Sequence, residues 1–261
     1  MPDTIIDDDT SSTRVLLPSE KGRGLVPRDF AAYPDGYLSP PADIPLIPRS
    51  EWSARIKEME KTSSRLSDIR GGIPSLDQGA VGYCWAHSTA HCVTLLRAAM
   101  NQPYVPLSAY AVAAIIKGGR DEGGWCGLSA KFLRDVGVPS QALWPQGSRD
   151  VRRDTPELRA DAATRKTTED WFDLARPVWD QQLAFDQVAT LLLSRVPVAL
   201  DFNWWGHSVC GLDLVEVERG SFGVRAWNSW GDDWGDRGTA VLRGAKAIPD
   251  GAVGLRATRA S

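Results

Sequence analysis

The chain has 261 residues, 43% of them apolar, with 30 basic and 33 acidic side chains and 11 tryptophans against 5 tyrosines and 6 phenylalanines. That length and apolar share suit one large or two-lobed domain with a sizeable core, and a net charge of −3 shows no basic excess of the kind that binds nucleic acid or an anionic membrane. No apolar run reaches the ~18 residues a membrane span needs, and the acidic start, Met-Pro-Asp-Thr-Ile-Ile-Asp-Asp-Asp, lacks the basic and apolar regions of a signal peptide, which predicts a cytoplasmic chain with reduced cysteines at 84, 92, 126 and 210.

Residues 1–13 are polar and acidic and read as a mobile tail. Residues 26–48 hold six prolines (Pro27, Pro34, Pro40, Pro41, Pro45, Pro48), which remove donors and fix φ, so residues 14–50 should run extended. A short helix follows from Glu51 to about Ser67, with Trp52, Ile56 and Met59 on one side. Residues 1–70 thus form an N-terminal arm, and a compact domain covers 71–261. Within it a helix starts at Cys84 and runs to Met100, with Ala86, Ala90, Val93, Leu96 and Met100 as one buried stripe. A second runs from the N-cap Ser108 to Gly118-Gly119, a third over Leu128–Val136 and a fourth over Phe185–Ser194. Strands are expected at Val196–Phe202, His207–Glu218, Phe222–Trp227 and Thr239–Arg243. Residues 145–182 are charged and irregular, and no element is assigned there. Helices first and strands last predict an α+β fold, with a helical lobe against a sheet lobe.

Three separated segments carry residues suited to acyl transfer: Gln78-Gly79-Ala80-Val81-Gly82-Tyr83-Cys84-Trp85-Ala86, Gly206-His207-Ser208-Val209 and Trp227-Asn228-Ser229-Trp230-Gly231. A thiol becomes a strong nucleophile only when ionised, and a helix N-terminus favours the thiolate. Cys84 stands at such a position. His207 is suited to move its proton near neutral pH, and an Asn carbonyl such as that of Asn228 can orient the ring without adding charge. Attack on an amide builds an oxyanion, for which the Gln78 side-chain amide and the Cys84 backbone N–H are candidate donors.

Gln78-Gly79…Cys84-Trp85-Ala86, Gly206-His207-Ser208-Val209 and Asn228-Ser229-Trp230-Gly231…Trp234-Gly235 resemble the three active-site segments of the papain-like cysteine peptidases, in the same order. Leu107-Ser108 resembles that family's Leu-Ser before its second helix. The resemblance spans roughly residues 70–245. It implies two lobes, one helical and one an antiparallel β-barrel-like sheet, with Cys84 as nucleophile, His207 as base and acid, Asn228 as orienting residue and Gln78 as oxyanion donor. It also implies that Trp230 shields the His207–Asn228 bond, that Trp230, Gly127, Leu128 and Gly206 contact substrate, and that no cofactor is needed. Val81 stands at a usual disulfide cysteine of that family, which predicts that this disulfide is absent. Tyr83 replaces a small residue, and its bulk is expected to fill part of the cleft. The stretch from Val196 to His207 is shorter than in typical members.

Rival readings are weaker but distinct. His87 and His91 lie one turn apart beside Cys92, but Ser88 follows the first His where a zinc-peptidase helix needs Glu, so a metal site is disfavoured. Cys92 and Cys210 read as core thiols, and Cys126 as either core or cleft wall. Trp204-Trp205 reads as cleft wall or as packing between the lobes. A cell-wall amidase is disfavoured by Gln78 and the Asn228 segment. The alternative from another class is a structural or interaction protein of a phage particle or other assembly, located in a virion and latched to partners through the arm. The arm's many apolar residues, Val15 and Leu25 among them, call for a groove, either this chain's own cleft, where they would block Cys84, or a neighbour's. The leading reading is a thiol peptidase acting on a protein or peptide substrate.

Overall fold

The computed structural model describes residues 3–10, 13–16, 18, 20–33, 44–167, 172–173 and 181–255. The helices are α1 (Thr13–Leu16), α2 (Arg49–Lys61), α3 (Leu66–Arg70), α4 (Cys84–Ala99), α5 (Ala109–Lys117), α6 (Cys126–Asp135), α7 (Pro156–Ala163) and α8 (Gln181–Leu193). The strands are β1 (Ile5–Ile6), β2 (Phe172–Asp173), β3 (Val198–Phe202), β4 (His207–Glu218), β5 (Ser221–Trp227), β6 (Thr239–Arg243) and β7 (Gly251–Gly254). They form one sheet in the order β1-β6-β5-β4-β3-β7-β2, antiparallel except where β1 joins β6. Helices α4, α5 and α6 form a separate layer against it, so the order helices-then-strands has become an α+β fold.

Helix α4 is the hinge of the architecture. All residues from Cys84 to Leu95 are buried, not one stripe, because α5 and α6 cover one side and β3 and β4 the other. Small residues such as Ala86, Ser88 and Ala90 allow that enclosure. The stripe drifts outward at the end: Leu96 is half-buried and Met100 is 42% exposed. Helix α5 begins and ends as its sequence dictates. Ser108 Oγ accepts from Ala111 N, and Gly118 adopts the left-handed conformation at the other end. Helix α6 begins at Cys126, two residues before the expected start, and α8 begins four residues early.

The arm is anchored at both described ends. Ile5–Ile6 adds a parallel strand to the β6 edge, with Asp3 paired to Arg225 (2.7 Å) and Asp7 to Arg243 (3.0 Å). The expected mobile tail is therefore an edge strand, because Ile6 is apolar enough to be buried and two arginines face the flanking aspartates. Helix α2 stops at Lys61, and α3 forms a separate turn before Gly71. Trp52 packs against Phe185 and Phe222 and donates Nε1–H to Ile47 O, fixing the end of the arm to α8 and the sheet.

Candidate active site

Each functional side chain is positioned by a different element. Cys84 is the first residue of α4, at the positive end of the helix dipole, where a thiolate is favoured. His207 opens β4 and lies opposite Phe202 of β3 across the short Asn203–Gly206 turn. Asn228 follows β5, and its N–H is held by Gly238 O at 2.8 Å. His207 Nε2 donates to Asn228 Oδ1 at 2.7 Å, which leaves Nδ1 as the nitrogen with a free lone pair. Asn228 Oδ1 also accepts from Ser229 N. The Trp230 ring lies 4.4 Å from the imidazole and Trp205 meets it edge-on, so water is kept from the His–Asn bond. Gln78 Oε1 accepts from Ser229 Oγ at 2.6 Å, which turns the Gln78 amide N–H groups the other way.

Those groups meet the arm. Gly22 O accepts from Gln78 Nε2 at 3.0 Å and from Trp230 Nε1 at 3.1 Å. Gly24 N–H donates to Cys84 Sγ at 3.3 Å. Leu25 N–H donates to Gly206 O, Val26 N–H to Gly124 O, and Gly124 N–H to Gly24 O. Arg23 reaches Trp205 O with its guanidinium. Residues 22–26 thus run through the cleft as a main-chain plug. Both glycines are needed there: a Cβ on Gly22 would lie 2.2 Å from Val81 O, and one on Gly24 would lie 2.0 Å from Gly82 O.

Burial in the closed cleft sets the protonation states. Burial pushes the Cys84 thiol up to about 11, against the smaller opposing effect of the Gly24 N–H, and burial pulls His207 down to about 3 despite its bond to Asn228. Both groups are therefore neutral near pH 7. Among the described residues His207 Nδ1 has no hydrogen-bond partner, so the expected thiol–imidazole hydrogen bond is not made in this closed form.

The remaining expectations resolve individually. Gly206 touches the arm through its carbonyl, and Gly127 and Leu128 line a small pocket with Trp125 and Lys131 beside the arm residues Arg28 and Tyr33. Tyr83 does not fill the cleft: it is fully buried, donates to Arg120 O and packs edge-on against Tyr110, because the start of α4 turns it into the helical layer. Cys126 is core, with its thiol on Asp201 Oδ1 at 2.9 Å and its N–H on Asp201 Oδ2, tying α6 to β3. Cys92 and Cys210 are buried with sulfurs 3.5 Å apart, and all four cysteines are free. Trp205, stacked on Trp204, packs on His207 and bonds Leu16 O and Arg23 of the arm, so it walls the cleft rather than joining the helical layer to the sheet. His87 Nδ1 pairs with Tyr83 O, and His91 stacks on Trp227 while Nε2 accepts from Leu76 N, so both rings are built into the core. An arm in the chain's own cleft was one of two placements that the sequence left open, but the Gly22-Arg23-Gly24 segment itself was not singled out. Its signal was two glycines spaced by one in an otherwise apolar, proline-rich arm.

The architecture matches solved structures over most of its length. Xylellain, a cysteine protease from Xylella fastidiosa, superposes with a TM-score of 0.66 at 18% identity, covering 92% of this chain and 97% of that one. Its fold is that of the papain-like cysteine peptidases. Bromelain from Ananas comosus superposes with a TM-score of 0.56 at 20% identity, over 74% of this chain and 97% of that one. In sequence, the chain is 27% identical over 209 residues to the cysteine endopeptidase RepA of Oryza sativa subsp. japonica, covering 71% of this chain. The chain spans about half the length of that curated relative, 53%. No family model matches the sequence.

Proposed function

We propose that this chain is a papain-like thiol peptidase held latent by its own N-terminal arm. The observation that carries the reading is one cleft that holds Cys84 at a helix start, the His207–Asn228 pair and the Gln78 amide, with an extended peptide main chain already bound across them. A groove that binds the arm through backbone N–H and C=O groups is suited to other extended peptides.

With a substrate in place of the plug, His207 Nδ1 takes the Cys84 proton and the thiolate attacks the peptide carbonyl. The oxyanion is met by the Gln78 amide, which here holds Gly22 O. The imidazolium then returns its proton to the leaving amine, giving a thioester on Cys84. Water, deprotonated by His207, hydrolyses it and frees the acid. Asn228 keeps the ring in the tautomer that this transfer needs. An arm lodged in the chain's own cleft favours latency over the alternative of an assembly latch.

The test compares the full chain, a form lacking residues 2–33, and both with Cys84→Ser, on an unfolded protein substrate. Cleavage that is weak in the full chain, rises on deletion and vanishes with Cys84→Ser is expected. Cleavage that survives Cys84→Ser would overturn the assignment, and no cleavage by a folded, arm-free form would return the chain to the assembly reading.

A further inference from the structure

Helix α4 and strand β4 carry Cys84 and His207, and a second pair of reactive groups joins the same two elements deeper in the core. Cys92 of α4 and Cys210 of β4 are fully buried, with their sulfurs 3.5 Å apart. Cys92 lies two helical turns beyond Cys84, about 12 Å along the helix, and Cys210 lies about 10 Å along the strand from His207. The pair therefore spans the contact between helix and sheet below the cleft, and neither sulfur takes part in acyl transfer. The other two thiols are engaged elsewhere. Cys126 donates to Asp201 and contacts Ser88 Oγ, and Cys84 faces Gly24 of the arm.

We propose that Cys92 and Cys210 are an oxidation site: a dithiol that closes to a disulfide in oxidising surroundings and staples α4 to β4. In reducing surroundings both stay thiols, as they are here. The sulfurs already touch, and a bond of about 2 Å needs an approach of only about 1.5 Å. Cys210 pairs across the sheet with Ala199 and is followed by Gly211, so the strand beside the sulfur carries little bulk to resist that shift. The co-reactant is a low-molecular-weight disulfide such as oxidised glutathione. One cysteine thiolate attacks it, forming a mixed disulfide and releasing one glutathione thiol. The second cysteine thiolate attacks the protein sulfur of that mixed disulfide and releases the other glutathione thiol. Two protein thiols thus lose two electrons and two protons, and both leave on glutathione. Burial, with Cys210 beside it, pushes the Cys92 thiol well above its ordinary value. Exchange therefore starts when α4 and β4 part transiently, or before they first pack, and not from the closed core. The two cysteines are 118 positions apart in the chain. Closing so long a loop removes much freedom from the unfolded chain, so the staple's effect is on stability, while Cys84 stays a thiol.

The experiment incubates the full chain in glutathione buffers from fully reduced to fully oxidised, and refolds a second sample from denaturant in the same buffers. Free thiols are blocked with N-ethylmaleimide, and peptides are mapped by mass spectrometry without reduction. A Cys92–Cys210 cross-link should form in the oxidising buffers and vanish on treatment with dithiothreitol. The melting temperature should rise by about ten degrees with the cross-link and fall back on reduction. Cys92→Ala and Cys210→Ala should each abolish that rise. The cross-link is read in the wild-type chain, so the test holds even where an alanine variant does not fold. No Cys92–Cys210 peptide in the oxidised wild-type chain, a mixture of pairings that includes Cys84 or Cys126, or a cross-link that leaves the melting temperature unchanged would overturn the staple.

Discussion

On the proposed peptidase reading, Cys84 and His207 are a reactive pair kept inert by burial. In an active thiol–imidazole pair the ions stabilise each other, but here burial disfavours both charges, holding the thiol near 11 and the imidazole near 3. An arm-free thiol returning toward its ordinary value of about 9 would carry roughly a hundredfold more thiolate at pH 7. Iodoacetamide should therefore alkylate Cys84 at least about a hundredfold faster after deletion of residues 2–33, as peptide mapping by mass spectrometry would show. Equal rates in the two forms would mean that the arm does not control the thiol. Asn228→Ala should lower cleavage by the arm-free form by roughly 10²–10⁴ in kcat while leaving KM within a few-fold, because it loosens the ring that transfers the proton. A KM effect alone would make Asn228 a substrate contact instead.

Among the elements, the plug is the one most exposed to a single substitution. Gly24→Ala places a Cβ 2.0 Å from Gly82 O and Gly22→Ala one 2.2 Å from Val81 O, both against backbone that cannot step aside. Each should release segment 22–26 and raise the cleavage rate of the full chain severalfold, with the melting temperature nearly unchanged, since the core from Trp52 onward is untouched. A variant with wild-type latency would show that the plug is not what closes the cleft. The same contrast explains what the sequence made legible. Helix α5 was readable because Ser108 and Gly118 are local signals, and β4 and β6 because their residues alternate between or bury against fixed layers. The Cys84, His207 and Asn228 segments could be grouped in advance because each carries a residue type suited to a chemical role with few substitutes, and the fold brings them to one cleft. Helix α7 was missed although Thr155-Pro156-Glu157 is a good start signal: Thr155 Oγ1 does cap Leu158 N, but the surrounding charges hid it. Strand β1 was missed because two residues carry no periodicity; only the β6 edge and two arginines, far along the chain, make it a strand. Which arm residues close the cleft was not legible for the same reason. Gly22 and Gly24 acquire meaning only from Val81, Gly82 and Cys84.

At the scale of the whole molecule, the closed form should have a pH window. His207 in the closed cleft has its pKa lowered to about 3 from the usual 6.5, so any open form with a hydrated ring binds a proton first. Stability of the closed form is then fully present above about 6.5 and is lost as pH falls toward 3. At pH 5 the difference is about 2 kcal/mol, enough to shift a closed-to-open ratio about thirtyfold. The Cys84 thiol acts at the other end: raised to about 11, it leaves the closed form intact below about 9 and weakens it above. The edge-strand anchor answers to a different range. Arg225 and Thr10 respectively are the main groups that hold the Asp3 and Asp7 carboxylates below their ordinary values, so both remain ionised at pH 5 and β1 stays on the sheet. Mild acid should therefore free the plug while the chain's first strand remains docked. Hydrogen exchange of the Gly22–Val26 amides, corrected for intrinsic rates, should speed up reversibly between pH 7.5 and 5, while Ile5 and Ile6 stay protected. His207→Gln, which cannot take up the proton, should remove the acceleration. If exchange is the same at both pH values, or if it accelerates equally in His207→Gln, the imidazole is not the group that opens the cleft.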